Sequence, residues 1–205
     1  MSPRWIRIIL FILYLVGALG MLIPETRNWF VKLSALNLLL SFIALILSRK
    51  ENTFRFIGFL AIAFIIGFGA ELIGVHTAYL FGSYQYGANL GMKWAGVPII
   101  IGLNWGILTV TSSAVIQRFG LNSILSALLS AILMVLFDYI LEPVAIKLDY
   151  WHWTDGQIPL YNFICWFGVS FILQWVYRMM KLSEVNKVAE SLFLMMFIFF
   201  TLLTI

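Results

Sequence analysis

The chain has 205 residues, of which 62% are hydrophobic and only 11% charged, with a formal net charge of +4. That balance excludes a soluble domain with a solvated charged shell, and the single cysteine, Cys165, excludes a disulfide framework and a cysteine metal site. The basic excess does not point to nucleic acid, because the lysines and arginines sit in short loops between apolar runs.

A hydrocarbon core of roughly 30 Å needs about 20 helical residues to cross it. Runs of this kind lie near 6–23, 29–47, 56–77, 95–116, 119–141, 160–177 and 189–205. They predict an all-α fold, a polytopic bundle of about seven transmembrane helices forming one integral membrane domain over 1–205. The runs are too long and too uniformly apolar for barrel strands, and helices satisfy their own backbone in lipid. Arg4 and Arg7 precede the first run as in a signal peptide. That run has the length of a true span and lacks a small-x-small cleavage site, so it is read as a retained helix.

Loop charge gives the orientation. With the amino terminus cytoplasmic, Arg4, Arg7, Arg49, Lys50, Arg55, Arg118, Arg178, Lys181 and Lys187 lie inside, and Arg27, Lys32, Lys93 and Lys147 lie outside. Nine against four favours N-in. Two stretches break the helical pattern, both on the outer side by helix parity. Residues 77–94 carry three glycines with Tyr79, Phe81, Tyr84 and Tyr86, too aromatic for a solvated linker. They read as an ordered re-entrant or interfacial lid. Residues 143–159 carry Trp151, His152 and Trp153. These rings also suit an aromatic belt at the headgroups.

Three acids lie where a carboxyl group is expensive. Glu71 sits six residues before the end of the third run, roughly 9 Å deep at 1.5 Å per residue. Gly67 and Gly74 share its face and would let a neighbouring helix or a flat ligand approach. His76 lies about 140° around the helix, but it could reach the site from the helix end. Asp138 and Glu142 are spaced i,i+4 on one face of the fifth run, where two ionised carboxyls would repel. One acid of the set is therefore expected to hold a proton beside an ionised partner, the arrangement of a general acid next to a base or cation stabiliser. Asn104 and Asn162 add neutral polar groups toward the same face, and Trp105 and Trp166 add aromatic walls. The alternative for each Asn is an interhelical hydrogen bond, and for the acids a purely structural role. Tyr84, Tyr86, Trp151 and Trp153 complete the predicted substrate-binding set. No phosphate loop, Gly-x-Ser-x-Gly elbow, His-Glu-x-x-His motif or mid-span lysine is present.

Four ordered stretches carry a resemblance: ELIGVHTAYLFGSYQYG from Glu71, GVPIIIGLNW from Gly96, DYILEPVAIKLDYWHW from Asp138 and IPLYNFICWF from Ile158. Over roughly residues 55–180 the chain resembles the carotenoid biosynthesis membrane-protein family. That family includes carotenoid 1,2-hydratases of the bisanhydrobacterioruberin hydratase and gamma-carotene 1′-hydroxylase type. The resemblance implies cofactor-free addition of water across the terminal 1,2 double bond of an acyclic carotenoid end group, giving a tertiary alcohol. It implies a bacterial or archaeal cell membrane, with the carotenoid and lipid as partners and the oligomeric state left open. The burial argument then assigns Glu71 and Asp138 as the acid–base pair, either of which could be the donor, tuned by Glu142 and His76. The rivals are a non-catalytic carotenoid- or lipid-binding protein and a proton-coupled transporter.

Overall fold

The computed structural model describes residues 2–49 and 53–205; Lys50 of the loop-charge count lies outside them. Among the described residues eight helices form an all-α bundle, joined by short antiparallel ribbons. Helix α1 (Pro3–Leu22) stops at Pro24, because Ile23 is held extended ahead of the proline ring. Its last carbonyls are capped from the next helix: Thr26 Oγ1 donates to Gly20 O (2.8 Å) and Arg27 Nε to Met21 O (2.9 Å). The run expected as a span at 29–47 is built of two helices, α2 (Pro24–Lys32) and α3 (Ser34–Ser48), bent by 53° at the break at Leu33.

Helix α4 (Thr53–Thr77) carries Glu71, and α5 (Ile99–Gln117) is the buried axis of the bundle. The two helices approach closely through glycines, each opposite a ring of the other helix. A Cβ on Gly67 would meet Trp105 at 2.3 Å, and one on Gly102 would meet Phe64 at 2.5 Å. Helix α6 (Ser123–Lys147) starts on an Asn122 cap that accepts from Leu125 N. It continues through Pro143, six residues beyond the expected end at 141, so Asp138 and Glu142 both lie on regular helix. Helices α7 (Leu160–Met179) and α8 (Lys187–Leu203) complete the bundle. Five helices are long and apolar enough to cross a membrane, or six if the bent α2–α3 pair counts as one span. Helix α8, at 17 residues, matches the lower limit of about 17 for a span.

The two aromatic loops pair with each other. Strand β1 (Tyr84–Tyr86) runs antiparallel to a strand from the other loop (Trp151–Trp153), with Tyr84 opposite Trp153 and Tyr86 opposite Trp151. Taken in chain order, β2 (Lys93–Trp94) and β3 (Val97–Pro98) form a second small ribbon, and the Trp151–Trp153 strand is β4. Side chains alternate across a strand. Tyr84, Tyr86, Trp151 and Trp153 therefore turn toward the bundle, while Gln85 and His152 face outward and are exposed.

Turn chemistry fixes this ribbon. Gly87 N donates to Tyr150 O at 2.8 Å, and a Cβ on Gly87 would meet both Asp149 O and Asp149 Oδ1 at 2.2 Å. Asp149 accepts from Ala88 N and pairs with His152 Nε2 at 2.5 Å. The His152 hydrogen bond, followed by the Ala88 amide, holds the Asp149 carboxyl below the usual carboxylate range. What Asp149 contributes to the ribbon is therefore fully present above its unfolded value and is lost as pH falls through the lowered folded value. Gly87→Ala is expected to cost about 1–3 kcal/mol by overpacking and to free the ribbon. Amide exchange at residues 84–86 measures this, and it should speed up while the helices stay protected.

Candidate active site

Three carboxyl groups from two helices meet beneath the ribbon. Glu71, Asp138 and Glu142 are 4%, 0% and 2% exposed, a burial that requires partners. Glu71 has three. Tyr84 Oη donates to its Oε2 at 2.5 Å, Tyr86 Oη to the same oxygen at 2.7 Å, and Trp105 Nε1 to Oε1 at 3.1 Å. Glu142 also has three. Trp151 Nε1 and Trp153 Nε1 donate to its Oε2 at 3.0 and 2.8 Å, and Asn162 Nδ2 to Oε1 at 3.2 Å. Each strand of the ribbon thus serves one acid, β1 with two phenols and β4 with two indoles. Burial, and then the charge of Glu71, hold the Tyr84 and Tyr86 phenols well above their ordinary range. Both remain neutral donors.

Asp138 is different. Its Oδ2 accepts from Asn162 Nδ2 at 2.8 Å, but its buried Oδ1 has no hydrogen-bond partner among the described residues. One Asn162 amide thus bridges the i,i+4 pair of α6. Asn104, 9% exposed, has no side-chain hydrogen bond among the described residues.

These groups line a cavity of about 30 Å³. A water needs roughly 10–15 Å³ on this measure, so the space suits one or two waters and no larger ligand. Eleven of the twelve predicted site residues line it: Glu71, Asp138, Glu142, Tyr84, Tyr86, Asn104, Trp105, Trp151, Trp153, Asn162 and Trp166. His76 is the correction. It is exposed at the end of α4, and its Nε2 is 2.9 Å from Ala95 O, so it fastens the β2–β3 turn and does not reach the acids. Trp151 and Trp153 are buried donors, not a headgroup belt. The glycine face of Glu71 takes a neighbouring helix, since the Trp105 ring of α5 lies over Gly67, while Tyr84 and Phe81 fill the space over Gly74 and leave none there for a flat ligand.

Sequence reasoning missed Phe81, Ile101 and Leu141 on the cavity wall. Phe81 is 2% exposed with φ 65°, an uncommon conformation for a bulky side chain. It packs on Trp105 and Trp166, whose rings stack at 4.1 Å and 22°. No local pattern distinguishes Phe81 from the other lid aromatics. The period-two patterns Tyr-x-Tyr and Trp-x-Trp were the available signal for the paired strands.

A second cavity of about 240 Å³ shares Ile101, Asn104, Leu141 and Trp151 with the acid pocket and is otherwise mostly apolar. The family model for carotenoid biosynthesis proteins matches residues 31–205. The chain belongs to that family. The match extends beyond 55–180 on both sides and takes in α8, and every acid-pocket residue falls inside it. Helix α1, which lines the larger cavity, precedes it. Curated proteins and solved structures give no match. As a carotenoid biosynthesis protein with this set of apolar helices, the chain is a membrane protein.

Gly67→Ala tests how Glu71 is held. Its new methyl would occupy the place of the Trp105 ring, costing about 1–3 kcal/mol and withdrawing the indole N–H from Glu71. A lower thermal midpoint in detergent, with a shifted Trp fluorescence spectrum, is the expected result.

Proposed function

We propose that this protein is an intramembrane hydratase, adding water to the terminal 1,2 double bond of an acyclic carotenoid end group. The observation that carries this reading is a water-sized pocket of three buried carboxyls whose wall is shared with a much larger apolar cavity. The proton lies on Asp138. Glu71 and Glu142 each accept three hydrogen bonds, as ionised carboxylates do, whereas Asp138 accepts one and leaves Oδ1 bare. The proposal therefore assigns the donor role to Asp138 within the Glu71–Asp138 pair.

The steps balance without an oxidant or reductant. Asp138 Oδ1–H gives its proton to C2 of the C1=C2 bond, whose π electrons form the new C–H bond. The tertiary cation left at C1 sits where the apolar cavity meets the acid pocket, whose walls carry Glu71, Glu142 and the stacked Trp105 and Trp166 rings. For scale, a carboxylate at about 5 Å stabilises a cation by about 3 kcal/mol at an effective dielectric of about 20. A desolvated aromatic face adds about 2 kcal/mol. The carboxylates therefore contribute more than any one ring. A water held by the free Asn104 amide forms the C1–O bond and returns its surplus proton to Asp138. The net change is one water gained and a tertiary alcohol formed.

The same reading sets the amino terminus in the cytoplasm, from the loop-charge asymmetry, and puts the acid pocket under the outer leaflet. The test is expression in a host making lycopene or gamma-carotene. The unmodified chain should yield pigment heavier by one water. Asp138→Asn, confirmed to be inserted, should lower product by about 100-fold or more, the range for loss of a general acid, and Glu71→Gln by about 100-fold, as loss of about 3 kcal/mol of cation stabilisation requires. Hydroxylated pigment at the unmodified rate from both variants overturns the assignment. Pigment retained unchanged by the intact chain points to a binding protein instead.

A further inference from the structure

The larger cavity has an opening as well as an inner end. Its inner end is the wall shared with the acid pocket, where the free Asn104 amide lies. Its other side is bounded by Val16 of α1 and by Leu36 and Leu40 of α3. These three residues line the cavity and are also exposed on the outer surface of the bundle. The cavity therefore opens sideways between α1 and α3, toward the bilayer. Most of its polar edge is internally paired: Tyr14 with Ser41 at 3.0 Å and Ser34 with Tyr150 at 2.5 Å. Asn37 of α3 also lines the cavity, with a buried Oδ1 that has no hydrogen-bond partner among the described residues, so the lining is apolar except at Asn37 and at Asn104.

Size sets how much of a ligand fits. At about 240 Å³ the space exceeds the roughly 150 Å³ cavity known to take benzene, yet it cannot enclose a whole carotenoid. An extended apolar chain would seat one end and leave the remainder in lipid. The bend at Leu33 between α2 and α3 borders this space. Irregular backbone at membrane depth is tolerated where it lines a cavity or is buried in protein.

We infer that this cavity is the seat for the polyene end of the substrate, entered from the bilayer between α1 and α3, with the reacting double bond brought to the junction at Asn104. The identity of the occupant rests on the hydratase reading. The cavity and its portal rest on geometry alone.

Val16→Trp and Leu36→Trp fill the portal without touching the acid pocket. Ile12→Trp and Leu39→Trp place the same ring on exposed positions of α1 and α3 that do not line the cavity. Each variant is purified in detergent from a lycopene-producing host, and bound pigment and hydroxylated product are measured per mole of folded protein. The portal variants should lose both together, roughly tenfold, as about 1.4 kcal/mol of lost affinity requires. The two controls should keep both. Asp138→Asn should keep bound pigment and lose product. Portal variants that hold pigment and form product at the unmodified level overturn the inference. If Asp138→Asn still makes product while the portal variants lose pigment, the acid assignment fails and the cavity assignment stands. Leu36→Phe is read the same way should a tryptophan variant fail to insert.

Discussion

Two buried carboxylates and the six donors aimed at them are the constraint on which the rest of this structure depends. Glu71 takes Tyr84, Tyr86 and Trp105, and Glu142 takes Trp151, Trp153 and Asn162. A carboxylate under a membrane interface is costly unless its lone pairs are filled. Here the filling groups come from α5, α7 and both strands of the ribbon. The acids therefore fasten the ribbon end of the bundle, and the loops that would otherwise be loose connections become its roof. Hydrogen bonds to charged groups are worth about 1.5–3 kcal/mol each, so loss of either acid affects several elements at once.

The same arrangement separates tasks along the substrate path. The acid pocket has room for a water or two, is lined by aromatic edges and has no basic residue among its lining. The neighbouring cavity holds apolar bulk. Asn104 stands between them with an amide that no neighbour among the described residues uses. The proposed hydration would need such a boundary, because water and a hydrocarbon do not share a solvent. The acid pocket lies within the part of the chain matched by the family model. One wall of the apolar cavity comes from α1, outside that match.

Much of this was legible in the residues. Long apolar runs announced helices, and acids inside them announced a site, since intramembrane carboxyls are hard to keep for packing alone. The i,i+4 spacing of Asp138 and Glu142 placed them on one face. What stayed hidden came from long-range pairing. The tyrosines and tryptophans of the ribbon are separated by an entire helical hairpin, and neither strand is long enough to declare itself. Donor counts, which single out Asp138, depend on that pairing. His76 misled because its position at a helix end is compatible with several directions, and a backbone carbonyl at Ala95 took it. Gly67 announced a close approach but not by what, and it is the Trp105 ring of α5 that makes it. The Leu33 bend was masked by continuous hydrophobicity, which records burial in lipid but not helix direction.

The account stands on an unequal division of charge: two acids ionised and held by donors, and the third neutral with its proton toward the pocket. Infrared difference spectroscopy on the protein in membranes at neutral pH reads this directly, through the C=O stretch of a protonated carboxyl. The account expects one such band that shifts on deuteration, disappears in Asp138→Asn and persists in Glu71→Gln and Glu142→Gln. Absence of the band from the unmodified protein, or its loss on replacing Glu71 while Asp138 is intact, would contradict it.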